Sequence, residues 1–180
     1  ALNKGFGICT GDIIGILHSD DRLYDNTVLS RIADVFSNEQ IDLAYGNIVM
    51  VDKFDRIKRI WRPGRLKNYK IYNNQIPHAS LFIRRDVLKK IGVPFDITYS
   101  IAADLKQQLL LINKFDCRAF YLDEPIAIVM LGGKSTANMF AYFVGWLESI
   151  RAWNELYESG GFYFLIRKLF NKIFGIRLFQ

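Results

Sequence analysis

The chain has 180 residues, the size of one ordinary domain, and 51% hydrophobic against 23% charged residues excludes an intrinsically disordered polymer. Its formal charge of +6 favours an anionic partner, but Arg167, Lys168, Lys172 and Arg177 place +4 of it in a tail without acidic residues. The body keeps only about +2, which argues against a nucleic-acid-binding domain. Cys9 and Cys117 have no metal-type spacing and suit a reducing, cytoplasmic compartment. No apolar run is long enough to span a bilayer.

Ala1 opens on what reads as mid-helix sequence, so the chain looks cut from a longer one. Asp12 to Leu17 is an Ile-rich run that predicts a buried strand ending at His18-Ser19-Asp20-Asp21. Asp25 or Asn26 then caps a helix carrying Val28, Leu29, Ile32, Ala33 and Phe36. Leu43 to Val51 and Ile57 to Trp61 predict a hairpin, and Arg62 to Gln75 reads as a basic loop with a short helix. A strand is expected over Ala79 to Ile83, followed by a short helix over Asp86 to Ile91 that Gly92 and Pro94 stop. A longer helix spans Ala103 to Phe115. Cys117 to Leu122 and Ile126 to Leu131 read as two strands parted by Asp123-Glu124-Pro125. Alternation of strands and helices is the pattern of an α/β layered domain.

Beyond the connection Gly132-Gly133-Lys134-Ser135 the pattern turns helical, with Met139, Phe143, Trp146, Ile150 and Trp153 on one face, read as core. Phe162 to Phe179 is aromatic and basic, and suits the headgroup region of an anionic membrane; the alternative is that it folds back as core.

Two features carry chemistry. Asp20-Asp21 closes an apolar strand, and open α/β sheets bind ligands beyond the carboxyl ends of their strands. Adjacent carboxylates repel unless a cation offsets them, so the doublet is either a solvated, helix-capping turn or the anchor for a divalent ion on a diphosphate. Asp104 opens a helix behind the small residues Ala102 and Ala103. It is either a first-turn helix charge or a general base for an acceptor hydroxyl.

In order and spacing, several elements resemble glycosyltransferase family 2, especially bacterial polysaccharide-assembly enzymes of the colanic-acid type. They are Ala1-Leu2-Asn3-Lys4-Gly5, Thr10-Gly11-Asp12-Ile13-Ile14-Gly15, His18-Ser19-Asp20-Asp21, Tyr45-Gly46-Asn47, Pro77 to Arg85, Gly92-Val93-Pro94-Phe95-Asp96 and Ile101-Ala102-Ala103-Asp104. The resemblance runs from Ala1 to about Ser135. It implies a partial GT-A, Rossmann-like mixed sheet flanked by helices, lacking the family's first βαβ unit, over residues 1–135. Residues 136–180 would be a C-terminal extension of amphipathic helices in contact with the inner face of the cell membrane.

The implied function is inverting transfer of a sugar from a nucleotide-diphosphate donor to a glycan or lipid-linked acceptor, assisted by Mg²⁺ or Mn²⁺. By the resemblance Asp104 is the catalytic base, with Ala103 where the family usually has Glu. Asp21 and Asp20 hold the metal, and Asp20, Asn3 and Gly5 line the donor side. His18 stands where the family's DxD-type motif has Asp, and a half-buried strand-end role is favoured for it over metal ligation. His78 and Arg84 fall on the acceptor and sugar side; His78 could equally bond within the core, and Arg84 or Arg85 could reach a phosphate. These 180 residues by themselves are expected to bind donor poorly and to be inactive. The rival reading is a catalytically inactive sugar- or nucleotide-binding module derived from a transferase.

Overall fold

The computed structural model describes residues 1–73, 75–132 and 139–177, with side chains described as far as Asn171. In chain order the elements are α1 (Leu2–Ile8), β1 (Ile13–Gly15), β2 (Arg22–Leu23), α2 (Val28–Phe36), β3 (Leu43–Val51), β4 (Ile57–Trp61), β5 (Phe82–Arg84), α3 (Arg85–Lys89), α4 (Ala103–Gln108), β6 (Ala119–Met130), α5 (Met139–Tyr157) and α6 (Gly161–Arg177). The six strands form one mixed sheet in the order β1-β5-β3-β6-β2, with β4 paired to β3. β3 is its axis. It runs parallel to β6 and antiparallel to β4 and β5.

β3 is buried almost throughout because helices cover both of its faces. Successive side chains alternate between faces. Leu43 and Tyr45 therefore join the core with Leu105, Leu109, Ile112 and Phe164, while Ala44 joins Val28, Ile32 and Phe36 of α2 with Phe82 and Ile126. The N-cap of α2 is Thr27 and not Asp25 or Asn26 as expected; Asp25 accepts the Thr27 N–H and hydroxyl at 2.8 and 2.7 Å in the turn that precedes the helix. Leu29 and Ala33, read as part of the apolar face of this helix, are exposed.

The structure departs from the sequence reading at several places, and the strand expected over Asp12 to Leu17 keeps only Ile13–Gly15. The strand expected over Ala79 to Ile83 begins only at Phe82, because Pro77 leads into a 3₁₀ turn, His78–Ser80. That turn is held by the Ser80 hydroxyl, which donates to the Gly46 carbonyl at 2.8 Å. The helix after Ala103 continues past α4 but widens over Leu109–Lys114 into a π-type turn.

The two strands expected at 117–131 are one strand, β6. Asp123-Glu124-Pro125 is not a turn but a bulge: Gly46 faces Leu122 and Asn47 faces Pro125, leaving Asp123 and Glu124 unopposed. Each bulged carboxylate has a partner. Asp123 accepts from Asn47 at 3.1 Å and lies 2.8 Å from the Tyr121 hydroxyl, while Glu124 pairs with Arg31. The bonds from Asn47 and Tyr121 hold the Asp123 carboxyl below its usual range. Burial, then the adjoining Asp123 carboxylate, push the Tyr121 hydroxyl up to about 12, so it remains a donor.

In the C-terminal segment Ala152 and Phe164 sit in the same core as Leu105 and Leu109, and Trp153 stacks on Phe164 with centroids 4.5 Å apart. The core reading of the Met139 to Trp153 face is overturned for its first half: Met139, Phe143 and Trp146 are exposed. The buried positions of α5 are the small residues Ser149 and Ala152, and Gly145 beside them lets the helix approach its neighbours closely. The connection Gly133 to Ser135, the boundary expected at 135/136, and the tail side chains Lys172, Phe174, Arg177 and Phe179 lie outside the described residues.

The bulge wraps tightly over Gly46. A Cβ there would stand 2.5 Å from Ile126 Cγ1 and 2.8 and 2.9 Å from the Glu124 and Leu122 carbonyl oxygens. Gly46→Ala is therefore expected to lower the urea-unfolding free energy by about 1–3 kcal/mol through overpacking. A variant as stable as the parent would mean that the strand slides freely at this point.

Candidate active site

The acidic doublet leaves β1 in a short turn. The Asp21 N–H donates to the His18 carbonyl at 3.0 Å, and the Ser19 hydroxyl donates to Asp20 at 3.1 Å. His18, Ser19 and Asp20 are exposed and Asp21 is half-buried. Directly after the doublet, Arg22 and Leu23 pair with Ile128 and Ala127 of β6. The sheet thus fixes the doublet at the edge where β6 ends its bulge.

The His78 turn packs beside the same stretch of β6, since its Ala79 shares a buried cluster with Ile48 and Ala127. The His78 ring meets the His18 ring edge-on, with centroids 4.9 Å apart. On its other side, His78 Nδ1 lies 3.8 Å from Asp104 Oδ2. His78 Nε2 is buried without a hydrogen-bond partner. One imidazole therefore spans the distance between the turn that carries the doublet and the carboxylate that opens α4.

Asp104 stands in the first turn of α4 with its side chain 20% exposed. Its Oδ1 accepts the Leu105 N–H at 2.8 Å, and its Oδ2 accepts the Gln75 amide N–H at 2.6 Å. An ionised carboxylate offers about four lone-pair sites, so these two bonds orient it without exhausting it. Gln75 carries no sequence signal of its own, because a glutamine in a polar loop predicts nothing until the loop is folded.

Buried amides fix that loop. Gln108, one helical turn after Asp104, clasps the Ile76 backbone, accepting its N–H at 3.0 Å and donating to its carbonyl at 2.9 Å. Asn113 clasps Ile71 the same way, at 2.9 Å in both directions. Since Gln75 and Ile76 are adjacent, as Asp104 and Gln108 are on the helix face, loop and helix run in register.

The other expected site residues are placed differently. Arg84 is a correction: its guanidinium donates to the carbonyls of Phe36 and Ile41 at 2.7 Å and of Asn38 at 3.3 Å, and lies over the Phe36 ring. It closes the C-terminal end of α2, where unpaired carbonyls attract a cation, and does not line a sugar pocket. Arg85 turns to Asp12 and the Cys9 carbonyl. Asn3 uses its amide as a clasp on Phe95, donating to the carbonyl at 2.7 Å and accepting the N–H at 2.9 Å. Gly5 is half-buried in α1 with nothing within 4 Å of where a Cβ would stand.

Among the described residues no three His, Cys, Asp or Glu side chains gather into a metal-binding group. The expected metal ligands among the described residues are the pair Asp20 and Asp21. That pair fits a hard cation such as Mg²⁺, which is commonly held by one or two carboxylates with substrate phosphates and water completing its shell.

Residues 1–93 match the sequence model of Glycosyl transferase family 2. The chain belongs to this family. The matched residues include the doublet and His78, while Asp104 lies beyond them. A glycosyltransferase of PGL/p-HBAD biosynthesis from Mycobacterium bovis BCG is 31% identical over 105 residues, covering 58% of this chain and 39% of that protein. An uncharacterized glycosyltransferase of Mycobacterium tuberculosis is 26% identical over 131 residues, 71% of this chain and 46% of that one. The chain thus spans less than half the length of these relatives. Among solved structures, S. aureus TarS 1–349 superposes with a TM-score of 0.55 at 13% identity, over 93% of this chain and 48% of that one. The glycosyltransferase fold, a mixed sheet flanked by helices, is shared.

Arg84 distinguishes architecture from ligand binding within this family member. Arg84→Ala is expected to cost about 2 kcal/mol of stability in denaturant titration, the scale of lost hydrogen bonds to a charged donor. Unchanged stability together with weakened substrate binding would return Arg84 to the sugar site.

Proposed function

We propose that the complete protein is an inverting glycosyltransferase that moves a sugar from a nucleoside-diphosphate donor to a glycan or lipid-linked acceptor, with Asp104 as the base. The observation that carries this reading is the chain of contacts from the His18–Asp21 turn through His78 to Asp104. That chain supports a reading in which the diphosphate-side carboxylate pair and the proton acceptor serve one site.

In the proposed reaction the acceptor hydroxyl oxygen bonds to the anomeric carbon as its proton passes to Asp104. The bond from that carbon to the diphosphate oxygen breaks, and its electron pair leaves with the diphosphate. A single displacement inverts the anomeric centre. Gln75 and the Leu105 N–H hold the Asp104 carboxylate in one orientation, which a general base needs for a defined line of approach. The His78 side chain, 39% exposed, gives the sugar a ring surface beside Asp104. Asp20 and Asp21 would hold Mg²⁺ or Mn²⁺, which when bound offsets charge on the departing diphosphate. The open space beside Gly5 leaves room for the donor nucleotide, next to the Asn3 clasp. A general base of this kind is worth roughly 10²–10⁴ in rate. Asp104→Asn is therefore expected to reduce kcat by that factor with little change in donor affinity. Turnover at the parent rate would remove Asp104 from the mechanism.

The reading extends to a lipid surface. Met139, Phe140, Phe143, Trp146, Phe162 and Tyr163 are exposed, with Arg167 on the same C-terminal segment. Among the described residues no helix is long and apolar enough to cross a membrane, so the proposed contact is peripheral. The protein is expected to float with vesicles containing anionic lipid and to be released by salt. Failure to float at low salt would assign this surface to something other than lipid.

A further inference from the structure

α4 has no cap of its own. Ala102 occupies its N-cap position without a side-chain acceptor, and within the segment Asp104 accepts only the Leu105 N–H. The acceptor comes instead from α5, nearly fifty residues on. Glu148 Oε1 accepts the Ser100 N–H at 2.7 Å, and its Oε2 accepts the N–H groups of Ile101 and Ala102, each at 2.8 Å. Three consecutive backbone amides thus converge on one carboxylate, and charge-assisted bonds of this kind are about twice as strong as neutral ones.

The close approach is built into α5. One turn before Glu148 a Cβ on Gly145 would meet Ile101 Cγ2 at 3.2 Å, and the buried Ser149 hydroxyl donates to the Gly145 carbonyl at 2.7 Å. A second grip lies further along α5. Arg151 donates to Thr98 Oγ1 at 3.1 Å and pairs with Glu155 at 2.7 Å, and Glu155 also pairs with Lys106. Lys106 in turn holds Asp96 at 2.7 Å, and this bond, with those from Thr98, keeps the Asp96 carboxyl well below its usual range. The segment leading into Asp104 is pinned on both sides by one helix.

We propose that Glu148 is a positioning residue for Asp104: it fixes the backbone of residues 100–102, from which the catalytic carboxylate projects two residues later. The inference rests on Asp104 being the base. It gives α5 a part in the reaction, although the helix lies outside the residues that match the family. Replacing Glu148 by Gln keeps one acceptor oxygen but turns the other into an NH2 donor that faces backbone N–H groups, so the clasp on residues 100–102 is lost in part and Asp104 shifts. Misplacement of a reacting group by about 1 Å costs roughly 10²-fold in rate.

The test is a double-mutant cycle in the complete protein, with Glu148→Gln and Asp104→Asn separately and together. The expected result is a 10- to 100-fold lower kcat for Glu148→Gln with donor KM nearly unchanged, faster amide exchange confined to residues 100–102, and no further loss when it is added to Asp104→Asn. Parent-like kcat in a folded Glu148→Gln protein overturns the positioning role while leaving the base in place. So does a full additional loss in the double variant, which would mean that Glu148 acts elsewhere. A fully active Asp104→Asn protein removes both assignments. Should Glu148→Gln unfold, Glu148→Asp keeps the charge but withdraws it by one methylene, and the same cycle applies.

Discussion

Two buried amides on one helix set the geometry on which the rest depends. Gln108 and Asn113 are almost without solvent contact, and a buried amide must be paired or it costs free energy. Each meets that requirement by clasping a backbone unit of the 71–76 segment. The loop has no strand or long helix to hold it, so these clasps are its order. Through them Gln75 reaches Asp104, and Pro77 launches the turn that carries His78.

The sheet holds the other half of the proposed site. β3 is buried on both faces, and β6 lies parallel to it for nearly its whole length. The bulge at Asp123 and Glu124 needs a residue without a side chain opposite, and Gly46 provides it. Just beyond the bulge, Ala127 and Ile128 receive β2, and with it the acidic doublet, while Ala127 also supports the His78 turn. The proposed site and the core are therefore one construction.

Much of this was legible in the residues. The Ile-rich run before His18, the apolar face of α2 and the long β3 run have short-range patterns that set their state, although β1 keeps only Ile13–Gly15 with Ile14 buried, and α2 buries only Val28, Ile32 and Phe36 behind an N-cap at Thr27. The doublet and Asp104 stood out because carboxylates at strand ends and helix starts are exposed to a crevice. What could not be read depends on partners far away in sequence. Gln75 meets Asp104 across 29 residues and Glu148 meets Ile101 across 47. Arg84 looked like a ligand because a strand-end arginine can reach a phosphate, yet the carbonyls at the end of α2 were closer. Asp123-Glu124-Pro125 has turn composition, and only Gly46 on the neighbouring strand turns it into a bulge. The first half of the apolar face of α5 points outward because Gly145, Ser149 and Ala152 make the close inner contact, while Trp153 further on stacks inward on Phe164.

The central claim is that the doublet and Asp104 face one cleft, with His78 between them. Paramagnetic broadening by Mn²⁺ added with a nucleoside diphosphate tests this directly in the complete protein. If the claim holds, the His78 ring and the Leu105 amide broaden together, and both effects disappear when Asp20 and Asp21 are replaced by Asn. Broadening that leaves His78 and Leu105 untouched, or that survives loss of the doublet, would contradict it.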